Sequence, residues 1–389
     1  MRQGPGFLVF LLAPTWTALL SLLLVVVVAS AGSGVARAAA APDSGSAATS
    51  SSGSAGLPRF CGTFLQLDAG NSAWSREEWE QEFASMQRLG MNLLIVQWAA
   101  TPSRAYYPSA ILPSAFPPAS VAIPPLNTRS DPDESFSPLD TTMELAEKYG
   151  FSVYLGPYMN DAWWKQYMRE EFIEQELEMT EKVASELARL YGHSPAFAGW
   201  YLPYEINATP LFTGAGRRRA AELLRRAVNI FDRLTPGRPV AISPFFDRWL
   251  PVGMFESWWK EVLRDSGVDY VFLQDGVGTG RKITPELAGR YFEAMRRATA
   301  AAGVKLWSDL EIFVEGAWTP APWERIAAQL RAEAPYVEGF VIFEYNHYMS
   351  PVRGGAAAEL YAAYAAYLGL APWAPGGSTS PGGVQGGGV

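Results

Sequence analysis

Cysteine and histidine are scarce in this sequence of 389 residues. Its one cysteine, Cys61, has no second cysteine to pair with, so an intrachain disulfide cannot form. The two histidines, His193 and His347, are far apart in the chain and have no cysteine cluster beside them. A zinc site of the usual kind is therefore disfavoured.

Positive charge is also in deficit, because 31 Lys and Arg stand against 39 Asp and Glu, for a formal net charge of −8. Binding to nucleic acid requires a basic surface that neutralises phosphates, so a nucleic-acid partner is disfavoured. No Gly-rich dinucleotide fingerprint follows the first predicted strand, which disfavours the competing fold, a doubly wound open sheet. We expect a monomer that needs neither a metal ion nor an organic cofactor.

The sequence does contain a regular alternation of apolar strands and amphipathic helices. Helix starts are marked by Ser75 with Glu78 three residues later and by Ser137 with Pro138, and Gly150 marks a helix end. Eight strands alternating with eight helices predict an α/β fold with a single (β/α)8 TIM barrel over residues 58–371. The predicted strands are residues 60–67, 91–98, 151–157, 196–204, 239–243, 269–273, 304–310 and 338–343.

The two ends of the chain have compositions that do not suit a barrel. Residues 1–40 contain a long apolar stretch followed by small residues, which predicts a signal peptide. The stretch is also long enough to span a bilayer, so an uncleaved membrane anchor is the alternative. Residues 41–57 are predicted to be a flexible linker and residues 372–389, a Gly-rich tail, to be disordered. Export to the periplasm or the cell exterior is therefore expected.

Two glutamates lie at the ends of the fourth and seventh predicted strands. These are Glu205 and Glu311, and Asp309 lies on the same strand face as Glu311. In a TIM barrel the C-terminal ends of the strands converge on one mouth, where the chemistry takes place. Glycosidic cleavage needs an acid that protonates the leaving oxygen and a carboxylate that attacks the anomeric carbon or activates water. We expect Glu205 to be the acid/base and Glu311 the nucleophile or base.

Aromatic and polar side chains gather near the predicted strand ends. Aromatic rings can cover the apolar faces of sugars while polar groups bind their hydroxyls. The long Pro-rich loop 99–137 is expected to form one wall of a cleft. The residues predicted to contact a carbohydrate substrate are Asp68, Gln97, Trp98, Tyr158, Asn160, Asp161, Tyr204, Asn207, Gln274, Asp275, Trp307, Asp309, Glu344, Tyr345 and His347.

Three segments carry a resemblance to a known family. They are residues 201–205 (YLPYE), 274–278 (QDGVG) and 306–313 (LWSDLEIF). They resemble the family called domain of unknown function 4434, a glycosidase-like group of barrels similar to clan A of the retaining glycoside hydrolases. The resemblance implies a (β/α)8 barrel with carboxylates on strands four and seven. One position departs from clan A, since Tyr204 stands where an asparagine usually precedes the acid/base.

The sequence therefore predicts a glycoside hydrolase-like protein that cleaves a polysaccharide or oligosaccharide. The main alternative is a non-catalytic carbohydrate-binding barrel in exopolysaccharide assembly or export, which would keep the aromatic cleft without the cleavage geometry. A lyase or transglycosidase would share the site and differ in the acceptor. A carboxyl separation of about 5 to 5.5 Å would predict retention, and one of about 6.5 to 9.5 Å inversion.

Overall fold

The computed structural model describes residues 58–115 and 137–374. Within these two ranges, no helix is long and apolar enough to cross a membrane. Several segments discussed above lie outside the described residues, and their interpretation stays a prediction. These segments are residues 1–40, 41–57, 116–136 and 375–389.

Eight parallel strands close into a barrel. They are β1 (Phe60–Leu65), β2 (Leu93–Val96), β3 (Ser152–Leu155), β4 (Phe197–Leu202), β5 (Val240–Ile242), β6 (Tyr270–Gln274), β7 (Lys305–Glu311) and β8 (Phe340–Phe343). Neighbours pair in chain order, and β8 returns to β1, where Thr63 pairs with Ile342. This closure confirms the predicted TIM barrel and excludes the doubly wound sheet, which is open.

A helix follows each strand and packs outside the barrel. The helices are α1 (Arg76–Arg88), α2 (Pro138–Tyr149), α3 (Glu170–Tyr191), α4 (Gly214–Leu234), α5 (Val252–Leu263), α6 (Pro285–Ala302), α7 (Trp323–Glu333) and α8 (Gly355–Tyr367). The predicted capping box begins α1, since Ser75 and Glu78 exchange side chain to backbone hydrogen bonds. Gly150 ends α2 with φ 73°, a left-handed conformation that glycine adopts without steric cost.

Side chains alternate along each strand between the barrel interior and the helix layer. Inside, Phe64 of β1 meets Tyr201 of β4 edge to face, with ring centroids 5.3 Å apart. Outside, Trp200 stacks on Phe231 of α4 at 5.0 Å and 10°. The alternation therefore decides which side chains near a strand end turn towards the barrel axis and which turn towards a helix.

One buried carboxyl group of the helix layer allows a test of the core. Glu82 of α1 is 2 % exposed and accepts a hydrogen bond from the Ser350 hydroxyl through Oε2, while Oε1 has no partner in the described part of the chain. Burial raises the pKa of Glu82 from 4.5 to about 7. The native state then binds this proton more tightly than the unfolded chain does. The resulting stabilisation is complete below pH 4.5 and is lost as the pH rises through 7.

The free energy of unfolding of the wild type should include a loss of about 3 kcal/mol between pH 4.5 and pH 8 that comes from Glu82, and Glu82→Gln is expected to abolish this loss. The amide keeps an acceptor for Ser350 but does not titrate. Denaturant unfolding at pH 4.5 and pH 8 measures the difference. The control is Glu178→Gln, because Glu178 lies on the exposed face of α3. A Glu82→Gln protein that lost as much stability as the wild type on going to pH 8 would contradict the assignment.

Candidate active site

Strand β7 brings two carboxyl groups to the top of the barrel interior. Asp309 and Glu311 are 2 % and 4 % exposed. Ser308, the residue before Asp309, faces outward and donates to Glu333 of α7 at 2.6 Å. Asp309 and Glu311 therefore share the inward face of β7, as the sequence predicted.

The loop after β6 holds the Glu311 carboxylate through its backbone. The N–H groups of Gly278 and Thr279 donate to Glu311 Oε2 at 2.6 and 3.1 Å. Burial and the neighbouring Asp275 and Asp309 raise the pKa of Glu311, while the Gly278 N–H works in the opposite direction. Oε1 has no hydrogen-bond partner among residues 58–115 and 137–374. The backbone of the loop thus fixes one of the two carboxylate oxygens.

Gly278 leaves no room for a side chain beside this carboxylate. A Cβ here would lie 2.8 Å from Glu311 Oε2, from Glu311 Cβ and from the carbonyl oxygen of Phe313. Such distances are well inside van der Waals contact, so glycine is needed for the close approach of the loop. Gly276 in the same loop has φ 68°, which also favours glycine.

Glu205 lies just beyond β4 and is partly buried. Its carboxyl group hydrogen-bonds to the side chain of Gln274 at the end of β6. Burial raises the pKa of Glu205 to about 7, and the Gln274 hydrogen bond and the charge of Arg281 work in the opposite direction. A carboxyl group with this pKa can hold and release a proton near neutral pH.

Two further side chains connect Glu205 with Glu311. The exposed Arg281, on the loop after β6, interacts electrostatically with both glutamates and lowers the pKa of each. Asp309 also interacts with both, through like-charge repulsion. Because charges influence a pKa strongly only at short range, Arg281 and Asp309 each lie near both glutamates.

The hydroxyl groups of Ser243 and Tyr201 lie close to Asp309. Ser243, just after β5, donates its hydroxyl to Asp309 Oδ2 at 2.8 Å and also hydrogen-bonds to Tyr201. Gln274 Nε2 donates to the Ser243 carbonyl at 3.0 Å. Burial, with the charges of Glu205 and Asp275, raises the pKa of Asp309 well above its usual range.

Asp275 was predicted to contact substrate, but its side chain turns towards α7. It is fully buried and accepts hydrogen bonds from Gln329 Nε2 and from the N–H of Val277. Its carboxyl group lies beside that of Glu333, whose pKa is raised by burial and by Asp275. Gln329 donates to the Glu311 carbonyl at 3.0 Å as well. Asp275 thus supports the end of β7 from behind.

A second polar cluster joins the ends of β8 and β1. His347 Nδ1 contacts Glu344 Oε1, and its Nε2 lies 3.4 Å from Asp68 Oδ2. Glu344 Oε2 accepts from the Gln66 N–H at 3.0 Å, and the Gln66 side chain donates to Gln97 Oε1 at 2.7 Å. The structure therefore brings together four of the predicted contact residues. Over the described residues, no group of three or more His, Cys, Asp or Glu is placed to hold a metal ion.

Three other predicted contacts meet around a buried carboxyl group of α3, Glu176. Asn160 Nδ2 donates to Glu176 Oε1 at 2.9 Å, and burial raises the pKa of Glu176 to about 7. Tyr158 lies close enough for the charge of Glu176 to raise its pKa further. Tyr204 is 1 % exposed and stacks on Trp163, with ring centroids 4.7 Å apart. Tyr204 therefore packs the loop after β4 against α3 and does not reach the mouth.

Two predicted contacts lie away from the mouth. Trp307 is near the start of β7, beside Tyr270 and four residues before Glu311, at the opposite end of the barrel. Tyr345 is fully buried, and its hydroxyl lies 2.7 Å from Ser85 Oγ of α1. Neither side chain is placed to touch a ligand at the mouth.

Three more predicted contacts lie on loops that follow β2, β3 and β4. Trp98 is partly buried against the core, and Asp161 is exposed. Asn207 Nδ2 donates to Asp247 Oδ2 at 3.1 Å, which ties the loop after β4 to the loop after β5. Their role as substrate contacts stays a prediction.

A family model described as a domain of unknown function, DUF4434, matches residues 60–354. The matched region begins at β1 and runs to the residue before α8. The chain belongs to this family. The resemblance in residues 201–205, 274–278 and 306–313 is thereby confirmed.

Crystal structures of other proteins share the barrel of this DUF4434 protein. A "putative alpha-L-fucosidase" from Bacteroides thetaiotaomicron VPI-5482 superposes with a TM-score of 0.65 at 23% identity, over 82% of this chain and 99% of that chain. An endo-1,4-beta-mannanase from Rhizomucor miehei superposes with a TM-score of 0.50 at 12% identity, over 74% and 86%. At these identities the likeness shows the fold. No curated protein matches the sequence.

The DUF4434 site contains residues that the sequence did not single out. Ser243, Arg281 and Gln329 all touch or influence the acids of the mouth. The repeated glycines of residues 276–280 were a usable signal, because a loop of this kind can bring backbone N–H groups close to an anion. No comparable signal marks Gln329, which belongs to a helix.

Proposed function

We propose that this DUF4434 protein is a glycoside hydrolase that cleaves a polysaccharide with Glu205 and Glu311. The observation that carries the proposal is that these residues, from β4 and β7, share Arg281 and Asp309 as charge partners at the barrel mouth. Glycosidic cleavage needs one carboxyl group that gives a proton and one that acts as a carboxylate. The two environments favour this division of roles.

Glu205 acts as the general acid. With a pKa of about 7 it carries a proton under mildly acidic to neutral conditions. It transfers this proton to the glycosidic oxygen as the bond to the anomeric carbon breaks. The carboxylate that remains can then accept a proton from the water that completes hydrolysis.

Glu311 acts as the carboxylate on the other face of the sugar. The two N–H groups on Oε2 are fixed before the substrate binds and stabilise a negative charge there. Burial raises the pKa of Asp309, of Glu333 and of Glu311 itself, and of these three acids Glu311 is the one that accepts two backbone N–H groups. Because these N–H groups favour the ionised form, we assign the negative charge to Glu311, which attacks the anomeric carbon or activates a water molecule.

A carbohydrate substrate agrees with the surroundings of these glutamates. The fucosidase and the mannanase named above have the same barrel, and both are named for glycosidic activity. The cluster of Asp68, Gln97 and His347 offers polar groups of the kind that bind sugar hydroxyls. Together these features favour an extended sugar chain lying across the mouth.

A non-catalytic carbohydrate-binding protein is the second candidate. It is favoured by the burial of Glu311, which is 4 % exposed and covered by the loop at Gly278. A binding protein would use the same mouth without moving a proton. The two candidates differ in one measurable respect, the release of new reducing ends.

A glycan screen of the full chain tests the proposal. Bacterial and plant polysaccharides are incubated with the wild type and with a Glu205→Gln, Glu311→Gln double variant, and both binding and reducing ends are measured. We expect cleavage of at least one glycan by the wild type and none by the double variant. Binding without cleavage in the wild type would favour the second candidate. Proton NMR of the first product identifies retention or inversion at the anomeric carbon.

The close approach at Gly278 leads to a further prediction. Gly278→Ala is expected to push the loop away from Glu311 and to lower kcat by roughly 10- to 100-fold, because small displacements of a reacting group are costly. Initial rates on the substrate found in the screen measure the effect.

A matched control for this substitution is Gly253→Ala. Gly253 lies in the first turn of α5, where a Cβ would meet nothing within 4 Å. This variant is expected to keep full activity. Equal activity of Gly278→Ala and the wild type would show that the position of the loop does not matter for Glu311.

A further inference from the structure

One end of the barrel carries a group of exposed large apolar side chains. In the described part of the chain, every large apolar side chain that is strongly exposed lies on a segment after a strand or in the first turn of the helix that follows. Such side chains at a single face mark a binding surface. They are Ile111, Trp164, Met168, Phe212, Trp249, Met254 and Trp318.

Part of this surface combines aromatic rings with arginines. Arg281 lies over the ring of Phe245, with its Cζ 4.7 Å from the centroid, and Phe245 lies 6.3 Å from the ring of Trp164. On the same loop as Phe245, Arg248 lies 4.6 Å from the centroid of Trp249, which is 73 % exposed. We call these five residues, Trp164, Phe245, Arg248, Trp249 and Arg281, the rim strip.

Neither arginine of the rim strip forms an ion pair with a carboxylate within 4 Å among the described residues. Elsewhere, arginines such as Arg226 and Arg297 form ion pairs with glutamates at 2.5 to 2.8 Å. The acid nearest to Arg248 in sequence, Asp247, instead accepts from Asn207 and from the N–H of Trp249. Arg248 and Arg281 are both exposed. Their guanidinium donors are therefore available to a ligand.

Each guanidinium lies over a ring, and its N–H groups donate no hydrogen bond among the described residues. This arrangement suits a planar carboxylate, which can accept two parallel hydrogen bonds from an arginine. The neighbouring rings Trp164 and Trp249 suit the apolar faces of sugars. A neutral glycan would use the rings but would form no ion pair with either arginine.

We infer that the rim strip binds the carboxylate groups of an acidic glycan, so that the substrate is a polysaccharide containing uronic acid; this rests on the proposed function. Arg281 is the main determinant, because it also interacts with Glu205 and Glu311 and so lies beside the bond to be cleaved. Arg248 is not among the charge partners of either glutamate. It binds the carboxylate of a sugar further along the polysaccharide.

Affinity electrophoresis of the full chain tests the inference. Native gels contain polygalacturonate, alginate or hyaluronan, each compared with its carboxyl-reduced form, and the Glu311→Gln chain is used so that no polymer is consumed. At low salt we expect at least one acidic polymer to bind about tenfold more tightly than its reduced form, as one charge-assisted hydrogen bond would give. The preference should shrink with added NaCl.

Arginine variants in the same background identify the residues responsible. Arg281→Gln is expected to weaken binding of the acidic polymer about tenfold and to leave binding of the reduced polymer unchanged. Arg281→Lys keeps the charge and should retain part of the preference. The matched control is Arg264→Gln, an equal loss of charge at the exposed C-terminal end of α5, and it should change nothing.

Three outcomes would overturn the inference. They are equal affinity for every acidic polymer and its reduced form, no binding of any acidic polymer, and an Arg281→Gln chain that weakens both forms equally. The last result would mean that Arg281 only balances the acids of the mouth. Because binding is measured without turnover, failure of the hydrolase proposal would appear separately, as binding without release of reducing ends.

Discussion

Replacing Glu311 with Gln is expected to lower the release of reducing sugar by more than about 10³-fold. The amide has the same shape and can still accept the N–H groups of Gly278 and Thr279 through its oxygen. It can neither attack an anomeric carbon nor activate a water molecule. Initial rates of the full chain on the polysaccharide found in the screen measure the loss.

The same substitution is expected to leave the thermal midpoint within about 3 °C of the wild type. Burial and the acids Asp275 and Asp309 raise the pKa of Glu311, so its ionised form destabilises the folded chain relative to a neutral group. An uncharged amide therefore costs the fold little, and above neutral pH it should favour the folded state. A large fall in the midpoint would assign Glu311 a structural role.

The matched control for Glu311→Gln is Glu315→Gln. Glu315 lies four residues further on and accepts the N–H of Gly280, from the same loop that binds Glu311. This variant should keep most of the activity. If both variants lost activity, the loop position and not the Glu311 carboxylate would be the decisive feature, and full activity of Glu311→Gln would remove Glu311 from the mechanism.

The fold could be predicted because its signals are local. Apolar runs gave all eight strands, and side-chain caps such as Ser75 with Glu78 gave helix starts that the structure confirms. In a TIM barrel each strand pairs with its neighbours in chain order, so correct elements are enough to give the topology. The same rule placed Glu205 and Glu311 at the mouth.

The candidate site was predicted less well, because proximity to a strand end does not fix the direction of a side chain. Asp275 follows the inward-facing Gln274, so alternation turns it outward, towards Gln329. Trp307 shares the inward face with Glu311 but comes four residues earlier, roughly 13 Å along the strand. The alternation of side chains and the rise per residue along a strand would have excluded both Asp275 and Trp307 as substrate contacts. The charge of Arg281 near both glutamates depends on loop conformation, which no short pattern encodes.

Replacing Glu205 with Gln is expected to lower the rate on a polysaccharide by about 10²- to 10⁴-fold, the range of general acid catalysis. The loss should be far smaller for an aryl glycoside of the same sugar with a dinitrophenolate leaving group, because such a leaving group departs without a proton. Comparing kcat/KM for the two substrates separates an acid from a residue that only binds. A Gln at position 205 can still hydrogen-bond to Gln274, so the local structure should persist.

The pH profile of the two proteins gives a second and independent reading of the Glu205 assignment. Burial raises the pKa of Glu205 to about 7, and the proton must be present for the acid step, so wild-type kcat/KM on the polysaccharide should fall above pH 7. Glu205→Gln has no proton to lose, and its residual activity should lack this alkaline limb. Glu176 also has a raised pKa of about 7 but is bound to Asn160 beside α3, so Glu176→Gln should keep the limb. An alkaline limb that survived in Glu205→Gln and vanished in Glu176→Gln would move the acid role to Glu176.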